Sequence, residues 1–458
     1  MSPPLIYSLT HTSKGLRSLL IAHMADIHLG LRQYGLLWRE EDFYARFKEA
    51  VEKAVREGVE AILISGDMFD RARPPISALR AAKEALNIPQ SKGIPIYAVL
   101  GEHDIPKVKD LPPHFVLDEY VKVLGTAATP LVQRLSVEGK EYCIAGISHR
   151  PLTSKGRQRL RELMDEAARK VCRDSVLMMH QSIANVFKLE PGIDLNEIPK
   201  AFKYVAMGHL HKRWVSETYP KVAYPGSLEI VNMGEIEEWR RNGKGFYLVD
   251  ISGDEASIQK VDVDVTPQEV VTTQYPNHRR DSSQAIERLA SLNRKSILHV
   301  KVCMPPSVRA DPASEIYALA RMRGIEGTVY LRVTTTPCGL QGRGEEGPEV
   351  TLESEEEVIK SLLKGGGPEA EAVAKAIIAL KNAAVDAATP RELDPFIEEL
   401  TKHSTFWSNL VRLPPLPEVE EALKPLPQAS EVERLSEGGE ERPKQRGRGL
   451  EAFLRRRS

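Results

Sequence analysis

The stretches LLIAHMADIHLG, residues 19–30, and AILISGDMFD, residues 61–70, decide the fold. In each, an apolar run is followed directly by polar residues that include aspartate. Such runs, bounded by turn residues, predict buried strands at 19–24 and 61–64. Between them, apolar residues recur at helical spacing, with Gly58 as a stop: Phe43, Phe47, Val51, Ala54 and Val55. The order predicts a strand, helix and strand unit.

The same alternation continues to about Ile251 and predicts an α/β fold, a sheet covered by helices. Further buried strands are predicted at 95–100, 142–145, 175–179 and 204–207. Each is followed by a polar turn that contains His or Asp. Because loops that leave the strand ends of an open α/β sheet converge on one crevice, we expect the chemistry at that edge.

Five blocks place Asp, Glu or His just after a predicted strand. They are Asp26-Ile27-His28-Leu29-Gly30, Gly66-Asp67-Met68-Phe69-Asp70, Gly101-Glu102-His103-Asp104, Met179-His180-Gln181 and Gly208-His209-Leu210-His211. Carboxylate oxygens and imidazole nitrogens are ligands suited to manganese, iron or zinc. Side chains two apart in an extended segment project together, as in Asp26-x-His28 and His209-x-His211. The set predicts a site for two metal ions, with one carboxylate between them.

Each block alone has a simpler explanation. A lone D-x-H or H-x-H is more often a surface loop or a satisfied core pair than a metal site. A lone Gly66-Asp67 is usually a turn, and His180 alone is more often a histidine at a strand end. The prediction depends on the set, because independent accidents would have to place such donors after five separate strands.

Composition bounds the possible classes of protein. The 458 residues, 41% hydrophobic and 28% charged, predict two or three globular units. A net charge of -1 gives no overall attraction to polyanions, so nucleic-acid binding must come from local basic patches, metal ions or a partner. Cys143, Cys172, Cys303 and Cys338 are far apart, which suggests neither a disulfide framework nor a thiolate zinc site and favours a reducing cytosol.

The chain is predicted to contain five regions. They are a catalytic domain at 16–253, a small α+β module at 254–337 with strands at 297–302 and 328–333 around a helix at 312–322, a linker at 338–352, a helical region at 353–415 and a charged tail at 416–458. The tail has too few apolar residues to repay its ordering entropy, so we expect disorder there.

The order of the five blocks resembles the calcineurin-like metallophosphoesterases over residues 26–211. Leu29-Gly30, Met179-His180-Gln181 and Tyr224-Pro225-Gly226-Ser227-Leu228-Glu229 resemble in particular the SbcD and meiotic-recombination-eleven (Mre-eleven) DNA nucleases, above all their archaeal form. The resemblance implies a calcineurin-like phosphoesterase β-sandwich flanked by helices. It also implies a small α+β cap that helps to hold the duplex and a C-terminal helical region that binds a partner.

The same resemblance implies the roles of the site residues. Asp26, His28 and His211 would hold one metal, His180 and His209 the other, and Asp67 would bridge two Mn²⁺ per subunit. Two such ions, about 4 Å apart, activate water and stabilise charge on the attacking and leaving oxygens. Glu102 stands where the family has asparagine. Its oxygen can still coordinate, but its charge alters metal preference, and an inactive relative would look similar.

His103 has a separate predicted role as a catalytic acid, or as a cation that steadies the transition state, with Asp104 orienting it and raising its pKa. The alternative is that His103 only hydrogen-bonds within its turn. Asp70 either lies at the site or caps the next turn.

Five basic residues flank the blocks and are candidates for binding DNA phosphates: Arg71, Arg73, Arg150, Lys212 and Arg213. A solvated loop charge is the alternative for each. The basic end of the chain, 444–457, is either a nonspecific nucleic-acid patch or a solvated tail.

The resemblance implies a manganese-dependent DNA nuclease, with double-strand 3′-5′ exonuclease and single-strand endonuclease activity, that processes DNA ends in double-strand-break repair. By resemblance it is a homodimer in the prokaryotic cytoplasm, and its helices at 354–363 and 370–388 dock on the coiled-coil base of a Rad-fifty type ATPase of the ABC class. Those helices could instead pack on each other. The alternative functions are a phosphodiesterase for small nucleotides and a scaffold that bridges DNA ends.

Overall fold

The computed structural model describes residues 19–107, 110–184, 186, 191–305, 307–325 and 327–338. The chain divides into two compact units, Met1–Leu352 and Glu353–Ser458, and all described residues lie in the first. Its strands are β1 (Leu20–Met24), β2 (Ala61–Ser65), β3 (Ile96–Val99), β4 (Lys122–Val123), β5 (Val132–Val137), β6 (Lys140–Ile147), β7 (Ser175–His180), β8 (Tyr204–Gly208), β9 (Trp214–Val215), β10 (Lys221–Tyr224), β11 (Gly245–Asp250), β12 (Ser257–Asp262), β13 (Gln268–Gln274), β14 (Ser296–Met304) and β15 (Val329–Pro337). Its helices are α1 (Leu37–Arg56), α2 (Ile76–Gln90), α3 (Ser154–Lys170), α4 (Ile236–Asn242), α5 (His278–Ala290) and α6 (Pro312–Met322).

Two six-stranded sheets form the first domain. Their orders are β12-β11-β1-β2-β3-β4 and β5-β6-β7-β8-β10-β9. The neighbours β1, β2 and β3 run parallel, as do β6, β7 and β8. Leu63 of one sheet and Met178 of the other belong to a single buried apolar cluster, so the sheets pack face to face. Because β2 is covered on both faces, every one of its residues is buried.

Helices cover the outer faces of this sandwich. Phe47 and Leu86, from α1 and α2, share an apolar cluster with Ile62 of β2. Met164 of α3 packs in the same way with Leu177 of β7. The predicted α/β class, a β-sandwich flanked by helices, is confirmed. Among the described helices, none is both long and apolar enough to cross a bilayer.

The predicted strands are present with small changes of length. β3 is one residue shorter at each end than the predicted 95–100, whereas β6 is longer than the predicted 142–145. β6 pairs with β5 in an antiparallel hairpin that the sequence did not predict. Residues in β5 are only partly buried or exposed, so the strand lacks the continuous apolar run on which the prediction relied.

The small α+β module begins after the predicted boundary. β12 pairs antiparallel with β11 and therefore belongs to the first sheet, which extends beyond the predicted boundary at 253. The module itself is the parallel sheet β13-β14-β15 with α5 and α6 sharing its core, and α6 covers the predicted 312–322. The predicted helical region and tail, and all of the predicted linker except Cys338, lie outside the described residues.

The structure corrects the expectation for the cysteines, because all four are paired. Cys143 bonds to Cys172 and Cys303 to Cys338, with Cα atoms 5.6 and 4.9 Å apart. The partners are 29 and 35 residues apart in the sequence. They meet because each pair joins one strand to residues beside the neighbouring parallel strand. Disulfides are uncommon in a reducing cytosol, so the cysteines no longer favour that compartment.

Alkylation tests this pairing. We expect denatured, unreduced protein to resist iodoacetamide, because a disulfide sulfur is not a nucleophile. After reduction it should take one label at each of its four cysteines, as measured by intact mass. Complete labelling without a reductant would show that the thiols are free.

Candidate metal centre

The donor residues gather where the strands of both sheets end. Asp26 and His28 follow β1, Asp67 follows β2, His180 ends β7, and His211 follows β8. Since β1 and β2 are neighbours in one sheet and β7 and β8 in the other, the same edge of the sandwich carries all these residues. The convergence expected from the sequence is observed.

The loops after β1 and β2 continue to pair beyond the sheet. The amide of Asp26 donates to the carbonyl of Gly66 at 3.1 Å, and that of His28 to the carbonyl of Asp67 at 3.0 Å. The φ angles of Asp26, His28, Asp67 and His209 are 51°, 51°, 49° and 101°. Residues other than glycine rarely adopt this left-handed backbone conformation, which costs of order 1–3 kcal/mol for each residue. The surrounding contacts must therefore hold these four residues in place.

Two glycines allow the sheets to approach closely at this edge. A Cβ on Gly66 would overlap the ring of His180, and one on Gly208 would overlap the carbonyl of Ser65. In the space they leave, Nδ1 of His180 donates to the carbonyl of Ser65 at 2.9 Å. Its Nε2 is buried without a hydrogen-bond partner and lies 3.2 Å from a carboxylate oxygen of Asp67. Nε2 of the ring therefore points into the site, beside the carboxylate of Asp67.

The two aspartates are buried and held by backbone amides. The carboxylate of Asp26 accepts from the amide of His209 at 3.0 Å, and that of Asp67 from the amide of His103 at 2.9 Å. Three groups of side chains here have one donor atom each within 4.8 Å of one another: Asp26, His28 and His211; Asp26, Asp67 and His180; and His28, Asp70 and His103. Asp26 is thus common to two groups, whereas Asp67 belongs to one.

Burial and charge shape the pKa values of these groups. Burial, aided by nearby His211, lowers the pKa of His28 to about 3. Burial alone would also lower the pKa of His180, but the carboxylate of Asp67 raises it to about 10. The pKa of Asp67 falls below its usual value, because its burial is outweighed by His180. The buried carboxylate of Asp67 thus stabilises a positive charge placed beside it at this edge of the sandwich.

The donors also fit a metal ion by their geometry. Nε2 of His28 and Nε2 of His211 face each other at 3.1 Å. Two lone pairs repel at that distance, so a proton or a cation must lie between the rings. Nδ1 of His211 donates to the carboxylate of Glu235 at 2.9 Å, which leaves its Nε2 as the ligand atom. The set of oxygen and nitrogen donors suits manganese, iron or zinc.

His209 and Glu102 stand apart from these groups. The ring centroid of His209 is 5.3 Å from that of His180, and its amide ties Asp26. Glu102 is exposed on the loop after β3. Neither belongs to a donor group among the residues described. Asp70, which the sequence left open, does join one.

The structure corrects the predicted role of Asp104. Its buried carboxylate accepts from the amides of Met68, Phe69 and Gly101 at 3.3, 3.0 and 2.9 Å. It therefore ties the loop after β2 to the loop after β3. The ring of His103 is instead held by the carbonyl of Asp70, to which its Nδ1 donates at 2.8 Å.

The basic candidates differ in accessibility. Arg71, Arg73 and Lys212 are exposed, and Arg150 is half-buried. The prediction that Arg213 binds DNA is corrected. Its side chain is only 2% exposed and donates to Asp262, to the carbonyl of Asn242 and to that of Val261. It ties the chain just before β9, in the second sheet, to β12 of the first sheet, so its guanidinium is not available to DNA.

Comparisons with known proteins agree with this geometry. The profile of the calcineurin-like phosphoesterase family matches residues 19–213. The DNA double-strand break repair protein Mre11 of Sulfurisphaera tokodaii is 36% identical over 288 residues, 61% of this chain and 72% of that protein. The protein of the same name from Saccharolobus solfataricus is 35% identical over 295 residues, 62% of this chain and 74% of that protein. The chain belongs to the Mre11 family.

The resemblance inferred from the sequence is thereby confirmed, and this Mre11-family chain is a metal-dependent phosphoesterase. A solved dimetal phosphatase from Danio rerio is similar with a TM-score of 0.34 and 11% identity over 53% of this chain and 96% of that chain. That similarity is too low to add to the assignment.

Sequence analysis missed some residues of this centre. Glu235 and Lys244 contact His211, although they follow it by 24 and 33 residues. His149, whose Nδ1 donates to the carbonyl of His180 at 3.1 Å, was also missed. None of these residues stands in one of the five blocks. His149 does follow the predicted strand at 142–145, which is a signal that could have found it, whereas no strand-end pattern marks Glu235 or Lys244.

The role of Asp104 can be tested by stability. Asp104→Asn puts an amide group where three backbone amides need an acceptor, so we expect the free energy of unfolding to fall by about 1 to 3 kcal/mol. The exposed Asp118→Asn is the matched control and should unfold like the wild type. Urea unfolding followed by tryptophan fluorescence measures both. Unchanged stability together with lost catalysis would restore Asp104 to the predicted catalytic role.

Proposed function

We propose that this protein is a metal-dependent nuclease that processes DNA ends in double-strand-break repair. The observation that carries the proposal is the buried donor set at the edge of the sandwich: Asp26, His28, Asp67, His180 and His211. A phosphoesterase site of this kind hydrolyses phosphate esters, and the named relatives are DNA double-strand break repair proteins. DNA is therefore the substrate that we propose.

The ligand assignment follows the donor groups. We assign Asp26, His28 and His211 to one ion, and His180 and His209 to the other, with Asp67 bridging. For the ligands other than His209, support comes from the spacing of the donor atoms and from the contact between Asp67 and His180. His209 is assigned from the family resemblance alone. Glu102 is the remaining proposed ligand of the second ion. Its side chain is exposed, and no described hydrogen bond or ion pair holds it elsewhere.

Two Mn²⁺ ions are the cofactor that we propose, because carboxylates and imidazoles together suit this metal. When bound, such ions lower the pKa of water and neutralise charge on the reacting phosphate. The chain itself supplies the negative potential that attracts them. The buried carboxylates of Asp26 and Asp67 are its source, and backbone amides hold both in place.

His103 is the proposed acid for the departing 3′ oxygen. Its Nδ1 donates to the carbonyl of Asp70, and the side chain is exposed at the mouth of the site. With Nδ1 held in this way, a proton on Nε2 makes an imidazolium that can donate to the leaving group. Its ring centroid lies 5.0 Å from that of His28, which places the acid beside the proposed metal ligands.

Cleavage of DNA tests the proposal. We expect the purified protein with Mn²⁺ to cut end-labelled duplex and single-stranded DNA, and 5′ and 3′ labels report the polarity. Substitution of a residue that only orients a metal ligand typically lowers activity about 10- to 100-fold. Asp67→Asn should lower the rate of DNA cleavage by more than this, because it changes a ligand. His103→Ala should lower the rate of DNA cleavage about 100- to 10,000-fold with metal still bound, because it removes the proposed acid and no metal ligand.

The control for Asp67→Asn is Asp118→Asn, which makes the same change at an exposed position. If metal-loaded wild type leaves every DNA substrate intact, alone and with an ATPase partner, the nuclease proposal fails. Hydrolysis of small nucleotides would then identify a nucleotide phosphodiesterase. Without such hydrolysis, cleavage gained by Glu102→Asn would identify a scaffold inactivated by its glutamate.

The exposed basic residues supply the proposed DNA contacts. Arg71 pairs with Asp70 beside the site, and Arg73 pairs with Asp110. Lys212 directly follows His211 and is exposed. Arg150 follows His149, and burial lowers the pKa of its guanidinium. Phosphates would compete with the exposed ion pairs of Arg71 and Arg73, which are individually weak.

Salt dependence of binding tests these contacts. Arg71→Ala and Lys212→Ala should weaken duplex binding and reduce the slope of log affinity against log salt by about one each, because each removes one phosphate contact. Fluorescence anisotropy in a potassium chloride series measures this, with exposed Lys48→Ala as control. Arg213→Ala should leave the slope unchanged and lower the free energy of unfolding. Equal slopes for Arg71→Ala, Lys212→Ala and wild type would remove these two residues from the interface.

We also propose a Rad-fifty type ATPase and a second copy of this chain as partners, in a DNA-associated cytoplasmic complex. The helices proposed to bind the ATPase, at 354–363 and 370–388, lie outside the described residues. The described domain exposes apolar side chains, including Ile76 and Val116, that a second chain would cover.

A further inference from the structure

The end of β10 and the segment that follows it contact both loops that carry histidine donors. The hydroxyl of Tyr224 donates to the carbonyl of Gln181 at 2.6 Å, next to His180. The amide of Ser227 donates to the carbonyl of His211 at 3.3 Å. Between them Gly226 has a φ of 79°, and a Cβ there would lie 2.9 Å from the same carbonyl. Residues 224–227 therefore pack against the main chain of both histidine loops.

A buried carboxylate holds the ring of His211 from the same side. Glu235 is 2% exposed, and its Oε1 accepts from Nδ1 of His211 at 2.9 Å. The amide and the side-chain nitrogen of Asn232 donate to that oxygen at 3.1 and 2.6 Å. The other oxygen accepts from the amide of Val231 at 3.2 Å. So many donors hold the carboxylate in one orientation.

Lys244 joins the ring and the backbone of His211 in one cluster. Its buried Nζ lies 2.6 Å from Oε2 of Glu235. It also donates to the carbonyl of His211 at 2.9 Å and to the hydroxyl of Ser227 at 2.5 Å. The ammonium group thus balances the buried carboxylate while it fixes the main chain of the residue whose ring that carboxylate holds.

The chemistry of Glu235 decides the tautomer of His211. An ionised carboxylate only accepts hydrogen bonds, so Nδ1 of the neutral ring must carry the proton. Nε2 is then unprotonated and faces Nε2 of His28 at 3.1 Å. A carboxylate behind a histidine ligand orients the ring and increases its basicity toward a metal.

We propose that Glu235, with Lys244 and Ser227, is a positioning cluster that keeps His211 as an Nδ1–H tautomer ready to bind the ion shared with Asp26 and His28. The inference rests on the proposed function for the existence of that ion. The cluster acts on one ion only, because its contacts described here reach His211 and not the ring of His180.

The experiment compares Glu235→Gln with Glu237→Gln. Glu237 lies on α4 with a side chain 61% exposed, and its substitution makes the same change of charge without touching His211. Long-range proton–nitrogen spectra of ¹⁵N-histidine protein without metal, at alkaline pH, report the tautomer, with His211→Ala to assign its signals. Titration with Mn²⁺ followed by electron paramagnetic resonance reports the number of ions and their affinities.

We expect Glu235→Gln to lose the pure Nδ1–H signature of His211 and to weaken one Mn²⁺ about 10- to 100-fold while the other is unchanged. Glu237→Gln should match the wild type in both. A wild-type tautomer and wild-type affinities in Glu235→Gln would overturn the proposal. If Glu235→Gln fails to fold because Lys244 is left unpaired, Glu235→Gln with Lys244→Met removes both charges and should show the same two changes.

The tautomer separates this proposal from the proposed function. If the wild type binds no Mn²⁺, the nuclease proposal fails, and the spectra of the metal-free protein still support or overturn the positioning of His211. Ser227→Ala gives a second check, because it removes one contact of the cluster and keeps both charges. It should shift the tautomer in the same direction by a smaller amount, and an unchanged tautomer would exclude Ser227 from the cluster.

Discussion

The burial of two carboxylates at one edge of the sandwich is the constraint on which the rest of this structure depends. Asp26 and Asp67 belong to one donor group with His180, yet burial disfavours the charge of both carboxylates. Backbone amides from other loops donate to each of them, and histidines surround them. The left-handed backbone of Asp26, His28, Asp67 and His209 is the conformational cost of aiming these groups inward.

The sandwich makes this arrangement possible because it brings two sets of strand ends together. One sheet contributes the loops after β1, β2 and β3, and the other contributes the ends of β7 and β8. Gly66 and Gly208 remove the side chains that would keep the sheets apart. A single sheet would have placed the histidines of β7 and β8 out of reach of the aspartates.

Several charged residues near the centre support it without reaching the reacting atoms. Asp104 ties two loops through backbone amides, and Glu235 with Lys244 holds His211. Arg213, just before β9 of the second sheet, holds β12 of the first. All are buried, so their charges require partners, and those partners are parts of the site's own framework. Burial thus distinguishes supporting charges from the exposed Arg71 and Lys212, which can meet a substrate.

The sequence by itself determined the buried strands that end at the site, the α/β class and the five blocks that hold the donors, because apolar periodicity and strand-end spacing are local properties of the chain. Only the tertiary structure decided what each side chain meets. His28 faces His211 across 183 residues, and Glu235 reaches His211 across 24. Tertiary packing also decided the disulfides, the packing of the two sheets, the burial of Arg213 and the amide contacts of Asp104. Contacts between distant segments depend on how the sheets and loops pack, and no spacing within one segment contains that information.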